Sequence, residues 1–217
     1  MKIKICGLKT IENSRTACEA GADMLGFNFY MPSPRYIAID ACREIIGEIK
    51  TTYPEIVCVG VFVNQSVDQV KAILAETGLD LAQLSGDETP ADLEHLGASA
   101  FKALCPVTRQ EAWAAVKALP TRTIPPAFLL DKYQKGAYGG TGKTGNWKLA
   151  AEIAKEHHIL LAGGLGPKNI AAAIQEVQPW GVDVASGVEI ERGKKDPVKI
   201  KDFIQKARSA SFEISKE

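Results

Sequence analysis

The chain has 217 residues, of which 46% are hydrophobic and 24% are charged, as is usual for a globular protein with a substantial core. Lysine and arginine total 26, and so do aspartate and glutamate. This zero net charge argues against a nucleic-acid-binding protein that works through bulk charge. No apolar run approaches the roughly 20 residues that span a bilayer, and the polar stretch Met1–Gly7 is unlike a signal peptide. We therefore expect a cytoplasmic protein with neither a membrane nor a nucleic-acid partner.

Short runs rich in β-branched and apolar residues recur along the chain and predict strands. There are eight: Lys2–Cys6, Met24–Phe29, Val57–Val63, Leu81–Leu84, Ala100–Cys105, Ala127–Asp131, Ile159–Gly163 and Val182–Ala185. Amphipathic stretches lie between them, so the chain alternates strand and helix.

The amphipathic stretches carry helix start and stop signals. Thr10 precedes the first helix, and Gly21 follows its end. Ser66 precedes a helix over Val67–Thr77, and Gly78 is suited to its C-terminal end. Further signals are capping-box spacing at Thr108–Glu111 ahead of Ala112–Leu119, Pro167 in the first turn of Lys168–Val177, and Pro197 in that of Val198–Arg208.

Strict alternation of eight strands and eight helices predicts a parallel sheet. A doubly wound open sheet usually has five or six strands, whereas eight repeats fit a closed (β/α)8 barrel of the TIM type. No linker or low-complexity block divides the chain, so we expect residues 1–217 to form one α/β barrel domain. In such barrels the functional groups lie at the C-terminal ends of the strands and in the loops that follow.

Histidine, the usual general acid–base residue, is poorly placed in this pattern. His95 falls in a predicted helix, and His157 and His158 precede a strand at the other end of the barrel. Asp131 instead ends an apolar strand, where a carboxyl group has little use in packing. Partial burial there suits a general acid, and the alternative role is a helix cap or a turn.

The five cysteines are scattered, without a CxxC pair, which argues against a disulfide framework and against a zinc site. Cys18, Cys42 and Cys58 are best explained as small buried apolar residues. Cys6 differs because it ends the first strand directly before Gly7. A thiolate at that edge could act as a base or nucleophile, and the alternative is a buried structural cysteine.

Glycines crowd the last three strand-end loops and predict a phosphate site, since backbone N–H groups and a helix N-terminus converge on an anion there. The clusters are Gly139-Gly140-Thr141-Gly142, Gly163-Gly164 and Ser186-Gly187. The first belongs to AYGGTGKT, which resembles a nucleotide-binding P-loop. However, seven residues separate Gly139 from the strand end at Asp131, whereas a P-loop leaves its strand almost directly.

Several motifs, in order along nearly the whole chain, resemble those of the phosphoribosylanthranilate isomerase family. They are Lys4-Ile5-Cys6-Gly7, Gly26-Phe27-Asn28-Phe29-Tyr30, Ser33-Pro34-Arg35-Tyr36, Val59-Gly60-Val61-Phe62-Val63-Asn64, Gly139–Thr144, Leu161–Leu165, Val182–Glu189 and Lys195-Asp196-Pro197.

This resemblance implies an enzyme of tryptophan biosynthesis on a ribulose-phosphate-binding barrel, with no metal or organic cofactor. It implies an Amadori rearrangement of N-(5-phosphoribosyl)anthranilate to the 1-deoxyribulose phosphate, with Asp131 as general acid and Cys6 as general base. By the same resemblance Arg35 binds the anthranilate carboxylate, Asp183 lies near the substrate nitrogen and the glycine loops bind the ribose phosphate. The partner is thus a small phosphoribosyl molecule, and we expect a monomer or a homodimer.

Two segments depart from the family pattern. Ser85 stands where the family usually has histidine, and Gly145-Asn146 stands where it usually has an aromatic residue and an aspartate. Two alternatives stay open. One is the related aminoaldose–ketose isomerase of histidine biosynthesis, whose substrate carries two phosphates, although the glycine clusters occur only in the C-terminal half of the chain. The other is a non-catalytic phosphosugar-binding barrel.

Overall fold

The structure is a computed structural model that describes residues 1–120, 122, 124–131 and 146–214, except for the side chains of residues 212 and 213. Within these residues, eight parallel strands close into a barrel in chain order, and the last strand pairs with the first. The strands are β1 (Lys2–Cys6), β2 (Met24–Asn28), β3 (Val57–Phe62), β4 (Leu81–Leu84), β5 (Ala100–Leu104), β6 (Phe128–Leu130), β7 (Ile159–Leu161) and β8 (Gly181–Val184).

Helices alternate with the barrel strands and pack around them. Those in the described segments are α1 (Ile11–Glu19), α2 (Ile39–Thr52), α3 (Val67–Thr77), α4 (Pro90–Leu96), α5 (Arg109–Ala118), α6 (Trp147–Ala154), α7 (Ile170–Val177) and α8 (Pro197–Ile214). A short antiparallel hairpin, β9 (Glu189–Glu191) and β10 (Lys194–Lys195), lies between β8 and α8. No helix of the described segments is long and apolar enough to cross a membrane.

The predicted barrel and its eight strands are confirmed. The bounds of β1 and β4 agree with the sequence pattern, and the ends of the other six differ from it by one or two residues. Such differences arise because the ladder hydrogen bonds stop before the side-chain pattern does. Asp131 therefore lies just beyond β6 and Gly163 beyond β7.

Most of the predicted helix signals act as expected. The Thr10 side chain accepts a hydrogen bond from the Asn13 N–H, and Ser66 forms a capping box with Gln69. Gly78 ends α3 in the left-handed conformation, which glycine adopts at little cost. Helix α8 begins at Pro197, as its fixed φ favours.

Two helix starts differ from the sequence prediction. The Thr108 side chain accepts from the Glu111 N–H, but the Glu111 carboxylate accepts from the Val107 N–H, so the expected reciprocal capping box is not formed. Helix α7 begins at Ile170, and Pro167 precedes it. The turn at the start of α7 is instead fixed by Asn169, whose side chain accepts from the Gly166 N–H and donates to the Gly164 carbonyl.

Alternation along the strands separates an outer core from the barrel interior. In β1, Ile3 and Ile5 pack beneath the helices, whereas Lys4 and Cys6 face the interior. The interior contains an apolar plug, whose buried residues are Met24, Val59, Phe101, Leu129, Leu160 and Ala162. It also contains a buried polar group, in which Lys4 bonds to Asp183 and Gln83.

We expect Leu160→Ala to lower the free energy of unfolding by about 2–5 kcal/mol, because it opens a cavity in a packed interior. Leu160 is fully buried. Chemical denaturation measures the change. Val198→Ala, at a position that is 74% exposed on α8, is the control and should change stability by less than about 0.5 kcal/mol. Equal effects of the two substitutions would contradict the assignment of Leu160 to the plug.

Candidate active site

Four of the side chains singled out from sequence meet in one cavity at the C-terminal end of the barrel. Cys6, Arg35, Asp131 and Asp183 all line a space of about 80 Å³, although they are far apart in the chain. Cys6 ends β1, Asp183 lies in β8, Asp131 follows β6, and Arg35 lies in the loop between β2 and α2. The closed barrel brings these elements together, because the carboxyl ends of parallel strands share one rim.

Cys6 lies on the wall of this cavity and is buried. Gly26 faces it from β2, and a Cβ atom added at Gly26 would lie 2.9 Å from the Cys6 Sγ. Burial raises the pKa of the Cys6 thiol, and the nearby Lys4 ammonium opposes that rise without cancelling it. The thiol is therefore predominantly protonated near neutral pH in the unliganded protein.

Lys4 is fully buried, two residues before Cys6 on the same strand. Its Nζ donates to the Asp183 Oδ1 at 2.8 Å and to the Gln83 Oε1 at 3.0 Å. Gln83 in turn donates to the Ser85 Oγ at 3.1 Å. Burial alone would lower the pKa of Lys4, but the anionic forms of Asp183 and Cys6 outweigh it and the pKa is raised. The lysine is thus a fixed positive charge beneath the cavity.

Arg35 is held by a buried carboxylate. Its Nε and Nη2 donate to the two Glu189 oxygens at 2.7 and 2.8 Å, which is the bidentate arrangement that guanidinium favours. Gly7 makes room for the arginine: it has a φ of +78°, and a Cβ there would lie 2.5 Å from the Arg35 Cδ. With Glu189 on one edge of the guanidinium, the Nη1 side stays available to a ligand, and among the described residues it has no acceptor.

Glu189 also holds Lys195, and so joins the hairpin to the cavity wall. The Lys195 Nζ donates to the Glu189 Oε1 at 3.0 Å and to the Ala185 carbonyl at 2.8 Å. Burial tends to raise the pKa of Glu189, but its bonds to Arg35 and Lys195 dominate and lower it. Burial lowers the pKa of Lys195, which Glu189 only partly offsets. The hairpin therefore supplies a carboxylate that stays ionised and fixes two cations.

Asp131 lines the same cavity from just beyond β6, which β7 and β8 separate from the Cys6 strand β1. Its backbone N–H donates to the Leu104 carbonyl at 2.9 Å, which continues the pairing of β5 with β6 for one more residue. Cys105 is the neighbouring residue of the β5 end and lines the same cavity. The Asp131 backbone is thus anchored to the barrel rim, with its side chain on the cavity wall.

The glycine loops after β7 and β8 pack against each other beside this cavity. Gly163 and Gly164 have φ values of +89° and +69°, which side-chain-bearing residues rarely adopt. A Cβ on Gly187 would lie 1.9 Å from the Leu165 carbonyl oxygen, so only glycine permits this approach. Gly164, Ser186 and Gly187 line a second cavity of about 690 Å³, which α8 bounds on its far side.

The two cavities are adjacent, since Ala185 lines the first and Ser186 the second. The other predicted phosphate-binding residues, Gly139, Gly140, Thr141 and Gly142, lie outside the described residues. Within the described part of the chain, no three histidine, cysteine, aspartate or glutamate side chains are grouped as a metal site would need.

Sequence reasoning singled out neither Lys4 nor Lys195, and of their side-chain partners it singled out only Asp183. Lys4 gave a usable signal, because a lysine two residues before Cys6 in a strand must share its face. Glu189 entered only as the last residue of the Val182–Glu189 motif. Its pairing with Arg35 spans 154 positions, and no local pattern predicts such a contact. Gln83 likewise meets Lys4 only through the closed barrel, across 79 positions, whereas Lys195 reaches Glu189 within the β9–β10 hairpin.

The chain matches known proteins over almost its full length. Residues 3–206 match the family profile described as N-(5'phosphoribosyl)anthranilate (PRA) isomerase. An N-(5'-phosphoribosyl)anthranilate isomerase of Geobacter sp. (strain M21) is 41% identical over 97% of this chain and 99% of its own length.

Solved structures agree with the sequence comparison. The phosphoribosyl anthranilate isomerase of Thermotoga maritima superposes with a TM-score of 0.86 at 34% identity, over 96% of this chain and 99% of its own. A second solved structure, of a phosphoribosyl anthranilate isomerase in complex with reduced 1-(o-carboxyphenylamino)-1-deoxyribulose 5-phosphate, gives a TM-score of 0.82 at 31% identity, with the same coverage. The chain therefore belongs to the N-(5'-phosphoribosyl)anthranilate isomerase family.

Proposed function

We propose that this chain converts N-(5-phosphoribosyl)anthranilate to 1-(2-carboxyphenylamino)-1-deoxyribulose 5-phosphate, a step of tryptophan biosynthesis. The observation that carries the proposal is the meeting of Cys6, Asp131, Arg35 and Asp183 in one cavity beside the glycine loops. An aminoaldose–ketose rearrangement moves hydrogen within one molecule. It needs an acid, a base and a means of holding the substrate, and these side chains supply all three.

Asp131 is the general acid in this mechanism. It donates a proton to the ribose ring oxygen as the bond from that oxygen to C1′ breaks, and the nitrogen lone pair forms the iminium. A carboxyl group anchored at the rim suits this task, because its backbone is held by β5 and its side chain faces the cavity.

Cys6 is the general base. Its thiolate removes the C2′ proton, and the electrons of the broken C–H bond flow to the iminium and give the enolamine. Tautomerisation then moves the O2′ proton to C1′ and leaves the C2′ ketone, so that product and substrate are isomers. Asp131 follows β6 and Cys6 ends β1, so the acid and the base line one cavity from different strands, as acid–base transfer on two parts of one sugar requires.

Arg35 and Asp183 orient the substrate. The Nη1 side of Arg35 binds the anthranilate carboxylate, while Glu189 fixes the plane of the guanidinium from its other edge. Asp183 faces the substrate nitrogen from β8, where a carboxylate favours the cationic iminium. Gly163, Gly164, Ser186 and Gly187, together with Gly139–Gly142, bind the ribose phosphate through their backbone N–H groups.

Genetic complementation tests the function and the roles of Cys6 and Asp131 together. We expect the gene to restore growth without tryptophan to a strain that lacks this isomerase, and Cys6→Ala and Asp131→Asn to abolish that growth. In purified enzyme each substitution should lower kcat by about 10²–10⁴-fold while ligand binding persists, because acid–base groups act mainly in the transition state.

Cys42→Ala is the matched control, because Cys42 is buried in α2, away from the cavity. It should keep near wild-type turnover. Normal growth with Cys6→Ala or Asp131→Asn would contradict the assigned role. Rescue of a histidine auxotroph lacking the related isomerase, with no rescue of the tryptophan auxotroph, would favour the alternative substrate.

The direction of the Cys6 pKa shift gives a pH prediction. Burial raises that pKa, so the thiolate fraction should still be rising well above neutral pH. We expect the rate of Cys6 alkylation by iodoacetamide to increase about tenfold per pH unit between pH 6 and 8. The measurement is peptide mapping by mass spectrometry on the unliganded protein. A plateau reached at or below pH 7 would contradict a raised pKa.

Arg35→Ala should raise KM by about 10–100-fold with a smaller effect on kcat, because a charge-assisted contact to the substrate carboxylate is made in ground and transition state alike. Steady-state kinetics measures the change. Arg43→Ala is the control, since Arg43 lies exposed on α2 and pairs with Asp40. A decrease in kcat alone for Arg35→Ala would count against a carboxylate-binding role.

A further inference from the structure

The buried Lys4 ammonium is the nearest fixed charge beneath the Cys6 sulfur. Both side chains face the barrel interior from β1, two residues apart. The position that a Cβ atom would take on Gly26 lies 2.9 Å from the Cys6 Sγ and 3.1 Å from the Lys4 Nζ. A side chain at position 26 would therefore collide with both atoms. Because Gly26 has no side chain, the Cys6 sulfur and the Lys4 ammonium can both lie close to that position on β2.

The hydrogen bonds of Lys4 leave one donor for that sulfur. An ammonium has three donors, and two are used by Asp183 and Gln83. The acceptors sit on β8 and β4, so Lys4 is held from two sides of the barrel. A lysine fixed in this way cannot move its charge to solvent, because it is fully buried.

We propose that Lys4 is a positioning residue for the base, because its ammonium supplies the positive charge that a Cys6 thiolate needs in this buried site. The inference rests on the proposed role of Cys6 as general base. It assigns to Lys4 a part in setting the ionisation of that group, without contact with the substrate.

The other charged groups near Cys6 come from several further elements. Asp183 on β8 disfavours the thiolate, while Lys195 on β10 favours it. Arg35, in the loop after β2, is a third cation near the sulfur, and Glu189 on β9 pairs with it. Asp131, just beyond β6, lines the same cavity. Among these charges Lys4 opposes the effect of burial on the Cys6 pKa most strongly.

Lys4 and Asp183 therefore act on the ionisation of Cys6 in opposite directions. Removing the Lys4 charge should disfavour the thiolate, whereas removing the Asp183 charge should favour it. A purely structural ion pair predicts no such opposition, since loss of either partner would only loosen the site. This difference makes the two roles separable by experiment.

The experiment measures Cys6 alkylation by iodoacetamide against pH in the unliganded protein, by peptide mapping. We expect Lys4→Gln to slow Cys6 alkylation about tenfold at pH 7.5, and Asp183→Asn to accelerate it. Alkylation of Cys105 in the same samples is the internal reference for these two variants, because the charged groups that act on Cys105 are Asp131 and Lys102, and neither variant changes them.

Lys102→Gln is the matched control. Lys102 is also a buried barrel lysine, paired with the Glu88 carboxylate at 2.7 Å and with the Gly86 carbonyl at 2.6 Å. It should leave the Cys6 profile unchanged. If Lys4→Gln alone does not fold, Asp183→Asn is compared with the double variant Lys4→Gln/Asp183→Asn, in which neither charge is buried unpaired. The added Lys4→Gln should again slow Cys6 alkylation about tenfold.

An unchanged Cys6 profile upon Lys4→Gln, or the same shift upon Lys102→Gln, would overturn the inference. Because alkylation is measured without substrate, this result is independent of turnover. If Cys6 is not the general base, the Cys6→Ala enzyme will retain turnover, which is a separate measurement.

Discussion

The buried ion pair between Lys4 and Asp183 spans the seam where the barrel closes. Lys4 lies on β1 and Asp183 on β8, and the two residues are directly paired in the register of those strands. Isolated charges could not be buried there, so each requires the other. Their pairing lets charged groups lie in the barrel interior beside the apolar plug, and Asp183 also lines the cavity that Cys6, Arg35 and Asp131 share.

The charged groups of the cavity form two linked sets. Lys4, Asp183 and Gln83 lie beneath Cys6, while Glu189 joins Arg35 to Lys195 at the side. In both sets a carboxylate fixes a cation close to Cys6. Such preorganisation is what an isomerase needs, because its charges must already be in place when the sugar ring opens. Burial raises the pKa of Cys6, so the same enclosure disfavours the thiolate that the proposed mechanism uses.

Glycines supply the space in which these groups meet. Gly26 leaves room for Cys6 and Lys4, Gly7 for the Arg35 side chain, and Gly187 for the contact between the loops after β7 and β8. The motifs thus place a glycine beside a cavity-lining residue that needs the space of a missing side chain. Packing explains in this way why Gly7 follows Cys6, and why the loops after β7 and β8 are rich in glycine.

The sequence by itself determined the repeating pattern of strands and helices, because side-chain alternation and helix caps are local signals. The closed barrel, and the rim at which its strands end, followed from that pattern. It also singled out Cys6 and Asp131, because residues that end buried strands lie at that rim, whereas Arg35 and Asp183 became candidates through the resemblance to the family. The tertiary structure alone decided which partners these residues have. Glu189 reaches Arg35, and Lys4 reaches Gln83 and Asp183, across 154, 79 and 179 positions. Such contacts depend on barrel closure and strand register, which no local pattern encodes, and they set the charge around Cys6.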